Sequence, residues 1–112
     1  MIGQEELREL IRQYESHGWK LRIVLTGSAQ ENDPALVEVI GSNIPLRTSH
    51  LDALWFSRPN KVNETWELRR IGSLPYALVR FVSDEDTEAS RDEILQTAED
   101  EMSRTVLRPI GN

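Results

Sequence analysis

The sequence contains no cysteine. That excludes a disulfide framework, a thiolate zinc site and a cysteine nucleophile, and it suits a reducing compartment. Histidine is nearly absent too: His17 and His50 are the only two, and no metal-ligand spacing surrounds them, so neither a metal nor a cofactor is expected. No apolar run reaches the length that spans a bilayer. Residues 1–6 lack the basic segment followed by an apolar one that marks a signal peptide, so the expected setting is the cytoplasm without membrane contact. Gly27-Ser28 and Gly41-Ser42 do not have the spacing of a phosphate-cradling loop and read as turns. Acidic side chains outnumber basic ones, 19 to 13. The net charge is −6, and residues 84–101 carry nine acidic side chains against Arg91 alone. A chain of that balance argues against binding dominated by a nucleic-acid backbone.

What the sequence does hold is concentrated in residues 51–82, which contain most of the aromatic side chains. Three runs of strand-forming residues are separated there by a Pro59–Asn63 connection and by Gly72-Ser73-Leu74-Pro75, both of hairpin length. Loop lengths taken alone set Phe56 opposite Trp66, Leu54 opposite Leu68, Asp52 opposite Arg70, Leu68 opposite Val79 and Glu67 opposite Arg80. Alternation along each strand then collects Leu54, Phe56, Trp66, Leu68, Ala77, Val79 and Phe81 on one face. The other face collects Leu51, Ala53, Trp55, Glu67, Arg69, Ile71, Tyr76, Leu78, Arg80 and Val82. The first set predicts a core. The second mixes aromatic, aliphatic and charged side chains.

The flanking segments complete the pattern. Leu7, Leu10, Ile11 and Tyr14 recur at helical spacing, which predicts an amphipathic helix from Gln4 to about Ser16, ended by Gly18 with His17 as a helix-terminal charge. Residues 19–26 alternate Trp19, Leu21, Ile23 and Leu25 with Lys20, Arg22, Val24 and Thr26, the period of a half-exposed strand. Asp33-Pro34 opens a short helix over residues 35–40, with Asp33 as N-cap. Ile94, Leu95, Ala98 and Met102 form the buried stripe of a last helix whose acidic cluster lacks the order of a calcium loop.

These elements predict one α+β domain over residues 1–112, in the order α-β-α-β-β-β-α. The simplest packing is a two-layer sandwich: a four-stranded antiparallel sheet with the N- and C-terminal helices on one face. The mixed face is then left open, unless residues 34–46 fold over it. Trp, Tyr and Arg above an apolar patch form the composition enriched at binding hot spots. The expected function is a non-catalytic protein-interaction module, a homodimer or a binder of another protein, acting through Trp55, Glu67, Arg69, Tyr76, Leu78 and Arg80. The alternative is a small-molecule binder or enzyme with a pocket between the sheet and residues 27–46. There His50, Asp52 and Arg70 would form a proton-transfer trio, although no nucleophile accompanies them.

Overall fold

The structure, a computed structural model, describes residues 4–27, 38–41, 43–49, 51–71, 76–83 and 85–106. Helix α1 (Gln4–Ser16) is followed by strands β1 (Lys20–Thr26), β2 (Leu46–Thr48), β3 (Ala53–Pro59), β4 (Asn63–Arg70) and β5 (Ala77–Ser83), then by helix α2 (Glu88–Val106). The strands form one sheet in the order β2-β1-β3-β4-β5. β1–β3, β3–β4 and β4–β5 are antiparallel. The fold is therefore α+β, as the sequence predicts, but the sheet is mixed and five-stranded. The additional strand, β2, pairs parallel to β1 with Val24 opposite Leu46. Three residues carry too little periodicity for the sequence to announce this strand. Of the short helix expected over residues 35–40, residues 38–40 are helical and the others lie outside the described residues, as does the expected Asp33 cap.

The two long helices do not share a face. α1 contributes Leu7 and Ile11 to a core cluster with Leu21, Val24, Leu54 and Phe56, whereas α2 packs Leu95, Ala98 and Met102 against Leu25, Ala53, Trp55, Trp66 and Leu68. Leu54 and Phe56 alternate with Ala53 and Trp55 along β3, so the clusters lie on opposite sides of the sheet. β3 is consequently buried on both sides from Ala53 to Ser57. The expectation of a two-layer sandwich with one open face is corrected to a sheet covered from both sides along its central strand. The reason is physical: a strand written Ala-Leu-Trp-Phe has no polar face to offer to water.

Both hairpin registers also differ from the loop-length reading by one residue. Asn60 Oδ1 accepts hydrogen bonds from the backbone N–H groups of Val62 (2.9 Å) and Asn63 (2.8 Å), and Asn60 N–H donates to the Asn63 carbonyl. This side-chain-capped turn is tighter than the five-residue connection, so Pro59 opposes Glu64 and Trp55 opposes Leu68. At the other end, Arg70 N–H donates to the Tyr76 carbonyl at 2.8 Å, which sets Leu68 opposite Leu78 and Trp66 opposite Arg80. A one-residue slip exchanges faces. Trp55 therefore joins the core, while Val79 and Phe81, expected inside, are 42% and 61% exposed.

A β-bulge between Leu21 and Ile23 breaks the alternation of β1 in the same manner. Leu21 and Val24 serve the α1-side cluster, and Ile23 and Leu25 serve the α2 side. The end of α1 is fixed by Gly18, whose φ of +86° places it in the left-handed region. His17 is the helix-terminal residue expected, its Nδ1 donating to the Gln13 carbonyl at 2.9 Å.

Truncating a fully buried indole in this centre removes packing on both sides of its ring. Trp55→Ala is expected to cost about 3–5 kcal/mol of folding stability, measured by urea unfolding. Phe81→Ala, at an exposed edge, should cost less than about 1 kcal/mol. Equal small losses would place Trp55 at the surface.

Candidate functional site

Most of the α1-side surface is closed. α1 covers Leu54 and Phe56, and Val39, Ile40, Ile44 and Leu46 pack into the same cluster. Tyr14 marks the boundary of that cover. Its ring stacks on Phe56 with centroids 4.0 Å apart and planes 11° apart, and Trp19 meets it edge-on. The Tyr14 hydroxyl donates to the Glu67 carboxylate on β4. Burial, and then the adjacent Glu67 carboxylate, push the Tyr14 phenol well above its ordinary value.

Beyond Tyr14 none of the described elements covers the sheet. β4 presents Thr65, Glu67 and Arg69, all half-buried, and β5 presents Ala77, Val79 and Phe81, all exposed. The Arg69 Nε is buried without a hydrogen-bond partner. β5 is also the sheet edge. Antiparallel ladders alternate the direction of backbone groups, and the Arg70–Tyr76 bond fixes the phase. Leu78, Arg80 and Val82 thus direct N–H and C=O toward β4, and Ala77, Val79 and Phe81 direct theirs toward the free edge. Arg80 Nη1 donates to the Val79 carbonyl at 2.9 Å. Ser83 N–H is taken by Asp86 Oδ2 at 2.7 Å, which ends the open edge.

The residues singled out from the sequence are divided by this geometry. Glu67 and Arg69 lie on the uncovered α1-side surface. Trp55 is fully buried on the other side, its Nε1–H donating to Glu99 Oε2 at 2.9 Å. Leu78 and Tyr76 are half-buried against the α2-side core, and Arg80 pairs with Glu101 on α2 at 2.7 Å. Trp55, Tyr76, Leu78 and Arg80 therefore do not share a surface with Glu67 and Arg69. The expectation of one mixed face is corrected, because it rested on the slipped register. Of the proposed trio, His50 lies outside the described residues. Asp52 accepts the Gly27 N–H on Oδ1 at 3.1 Å, and it is Ala53, not Asp52, that opposes Arg70. No ion pair joins Asp52 to Arg70.

Two further features were not singled out. Glu99 is 6% exposed and accepts from both Trp55 and Arg47, tying α2 to β2. It borders a polar recess of about 410 Å³ with Thr48, Ser49, Gln96 and Ser103. A signal for it exists in the sequence, since Glu99 falls on the helical stripe of Leu95, Ala98 and Met102 and must there find a buried donor. A second recess, of about 340 Å³, lies between β1 and α2 and is bordered by Lys20, Arg22, Trp66 and Arg91. Among the described residues, no group of three or more His, Asp or Glu side chains converges as metal ligands, and no helix is long and apolar enough to cross a membrane.

Comparison with protein-family models, with curated proteins and with solved structures gives no match.

Two outcomes test this geometry. Tyr14 is held protonated in the fold, so its contribution is complete below about pH 10 and is lost as the pH rises toward its elevated folded value. Urea midpoints of the wild type should fall more steeply above about pH 10 than those of Tyr14→Phe, which has no phenol to ionise; parallel curves would contradict the buried phenol–carboxylate contact. Glu99→Ala leaves the Trp55 indole N–H unpaired and should cost about 1–3 kcal/mol, with a change in tryptophan emission that Glu101→Ala does not reproduce.

Proposed function

We propose that this chain is a non-catalytic protein-interaction module that self-associates through the uncovered part of its sheet, with β5 at the centre of the contact. The observation that carries the reading is the combination found on one strand. Val79 and Phe81 expose apolar side chains, and the same residues direct backbone groups outward from the sheet edge, where no described strand pairs with them and Arg80 holds the Val79 carbonyl. Edge strands in stable monomers are usually blunted by lysine, proline, shortness or a bulge. β5 has seven residues, no lysine and no proline, and its single charge, Arg80, is turned toward Glu101.

A second copy fits this edge in an antiparallel twofold arrangement. Centred on Val79, the pairing sets Val79 against the partner's Val79 and Ala77 against the partner's Phe81, a small residue facing a large one. On the opposite side of the sheet Arg80 faces the partner's Leu78. A pairing centred on Arg80 would instead oppose two guanidinium groups, which is unfavourable. The Val79-centred register requires Arg80 to release the Val79 carbonyl, an exposed hydrogen bond of small net worth. The apolar stripes of the two copies then form one continuous surface, with Glu67 and Arg69 along its margin.

The contact is small by the standard of specific interfaces, so the association is expected in the micromolar range. It also brings two acidic α2 helices nearer to each other, and added salt should strengthen it by screening their repulsion. Light scattering across about 10–500 µM protein is expected to show a monomer–dimer equilibrium for the wild type. Phe81→Glu should give a folded monomer throughout, because Phe81 is 61% exposed and belongs to neither core cluster. A wild type that stays monomeric over this range, or a dimer indifferent to Phe81→Glu, would overturn the reading.

A further inference from the structure

The recess between β1 and the start of α2 gathers cations in a chain that is otherwise acidic. Arg22 lies over the Trp66 ring at 4.6 Å from its centroid, and Arg91 lies over the same ring at 5.8 Å. Lys20 borders the recess beside them. Arg91 is the single base between Asp84 and Glu101, and α2 turns it inward while exposing its acidic neighbours Glu88 and Glu93. Two guanidinium groups over one indole repel each other. The carboxylates at hand offset this only in part. Glu64 is 3.7 Å from Arg22, but its Oε1 already accepts the Trp66 Nε1–H at 2.7 Å. Neither Arg91 nor Lys20 has a carboxylate within ion-pair distance among the described residues.

The bulge in β1 is what assembles the cluster. By inserting Arg22 into the strand, it sends Arg22 and Ile23 to the same side of the sheet, where Arg22 Nη1 donates to Ser57 Oγ at 2.9 Å. The guanidinium is thereby fixed by a hydroxyl and a ring face, an arrangement that leaves N–H donors for a ligand. Bulges recur where a side chain is re-aimed toward a site. Ile23, Pro45 and Leu95 give the recess an apolar wall, Asn43 and Asp92 add polar groups to its border, and its volume lies at the lower end of small-ligand pockets.

We propose that this recess binds a small phosphate monoester. Arg22 and Arg91 grip its oxygens, Lys20 adds charge at the rim, and its organic body rests on Ile23, Pro45 and Leu95. Three cations match a dianionic phosphate, and planar guanidinium forks suit its oxygens. Asp92, also on the border of the recess, opposes the ligand and limits its affinity. The site is on the α2 side of the sheet, away from the exposed Val79 and Phe81, and does not depend on self-association.

The test is a titration of isotopically labelled full-length protein at low ionic strength, read at the three tryptophan indole N–H signals, with phenyl phosphate and inorganic phosphate as probes. Phenyl phosphate is expected to shift the Trp66 signal saturably, and Arg91→Gln to weaken that binding by about tenfold or more. Asp92→Asn should tighten it, which keeps the test decisive if an arginine variant proves unstable. Inorganic phosphate should bind more weakly, because it lacks a body to cover the apolar wall. An unmoved Trp66 signal, the same shift with sodium chloride at equal ionic strength, or inorganic phosphate binding as tightly as the ester would each overturn the assignment.

Discussion

The burial of β3 on both sides governs the rest of the molecule. Ala53, Leu54, Trp55 and Phe56 are all fully buried and Ser57 nearly so, so the strand cannot present either face to water. Each face needs a helix, and α1 and α2 are therefore placed on opposite sides. Removing apolar surface of this extent from water is the dominant stabilising term available to a chain with no disulfide. Trp55 carries a polar atom into that centre, and Glu99 receives its N–H. A carboxylate is buried with it, held by Arg47 at the margin, and α2 is thereby locked to β3 and β2 at one position along its length.

What remains uncovered follows from the same geometry. α1 spans only part of its face, ending its cover where Tyr14 reaches Glu67. β5 lies beyond that reach, so among the described residues no helix covers Ala77, Val79 and Phe81. On the other side, α2 crosses β5 and neutralises Arg80 through Glu101. The edge strand is thus covered and charge-balanced on one side and apolar on the other. This asymmetry directs the proposed self-association toward the α1 side of the edge. The bulge at Arg22 has a comparable role on β1, since it exchanges a continuous alternation for two adjacent residues aimed at α2, one charged and one apolar.

Some of this was legible in the residues. The α+β class, both long helices and the positions of four strands follow from periodicity and turn chemistry, because α1 has a single apolar stripe and Gly18 has the conformation that ends it. The faces were not legible. They hang on single residues: the Asn60 side chain tightens one hairpin, the connection before Tyr76 is one residue longer than its glycine suggests, and Arg22 inserts into β1. Period-two patterns flip with each such step, so Trp55 exchanges places with Phe81. One signal was available. Four successive large or apolar residues in Ala53-Leu54-Trp55-Phe56 imply burial on both sides, which already requires helices on opposite faces. Exposure of Val79 and Phe81 had no such signal, since an apolar edge strand reads like an inner one.

The central claim is that the outward backbone groups of β5 meet those of a second copy. Amide hydrogen exchange as a function of protein concentration addresses it directly, because each amide reports its own hydrogen bond. The amides of Leu78 and Arg80 are bonded within the sheet and should be protected at every concentration. Those of Val79 and Phe81 are predicted to exchange rapidly in dilute solution and to gain protection as the concentration rises through the micromolar range. Fast exchange of Val79 and Phe81 at all concentrations would contradict edge pairing, whatever the mass of the particle in solution.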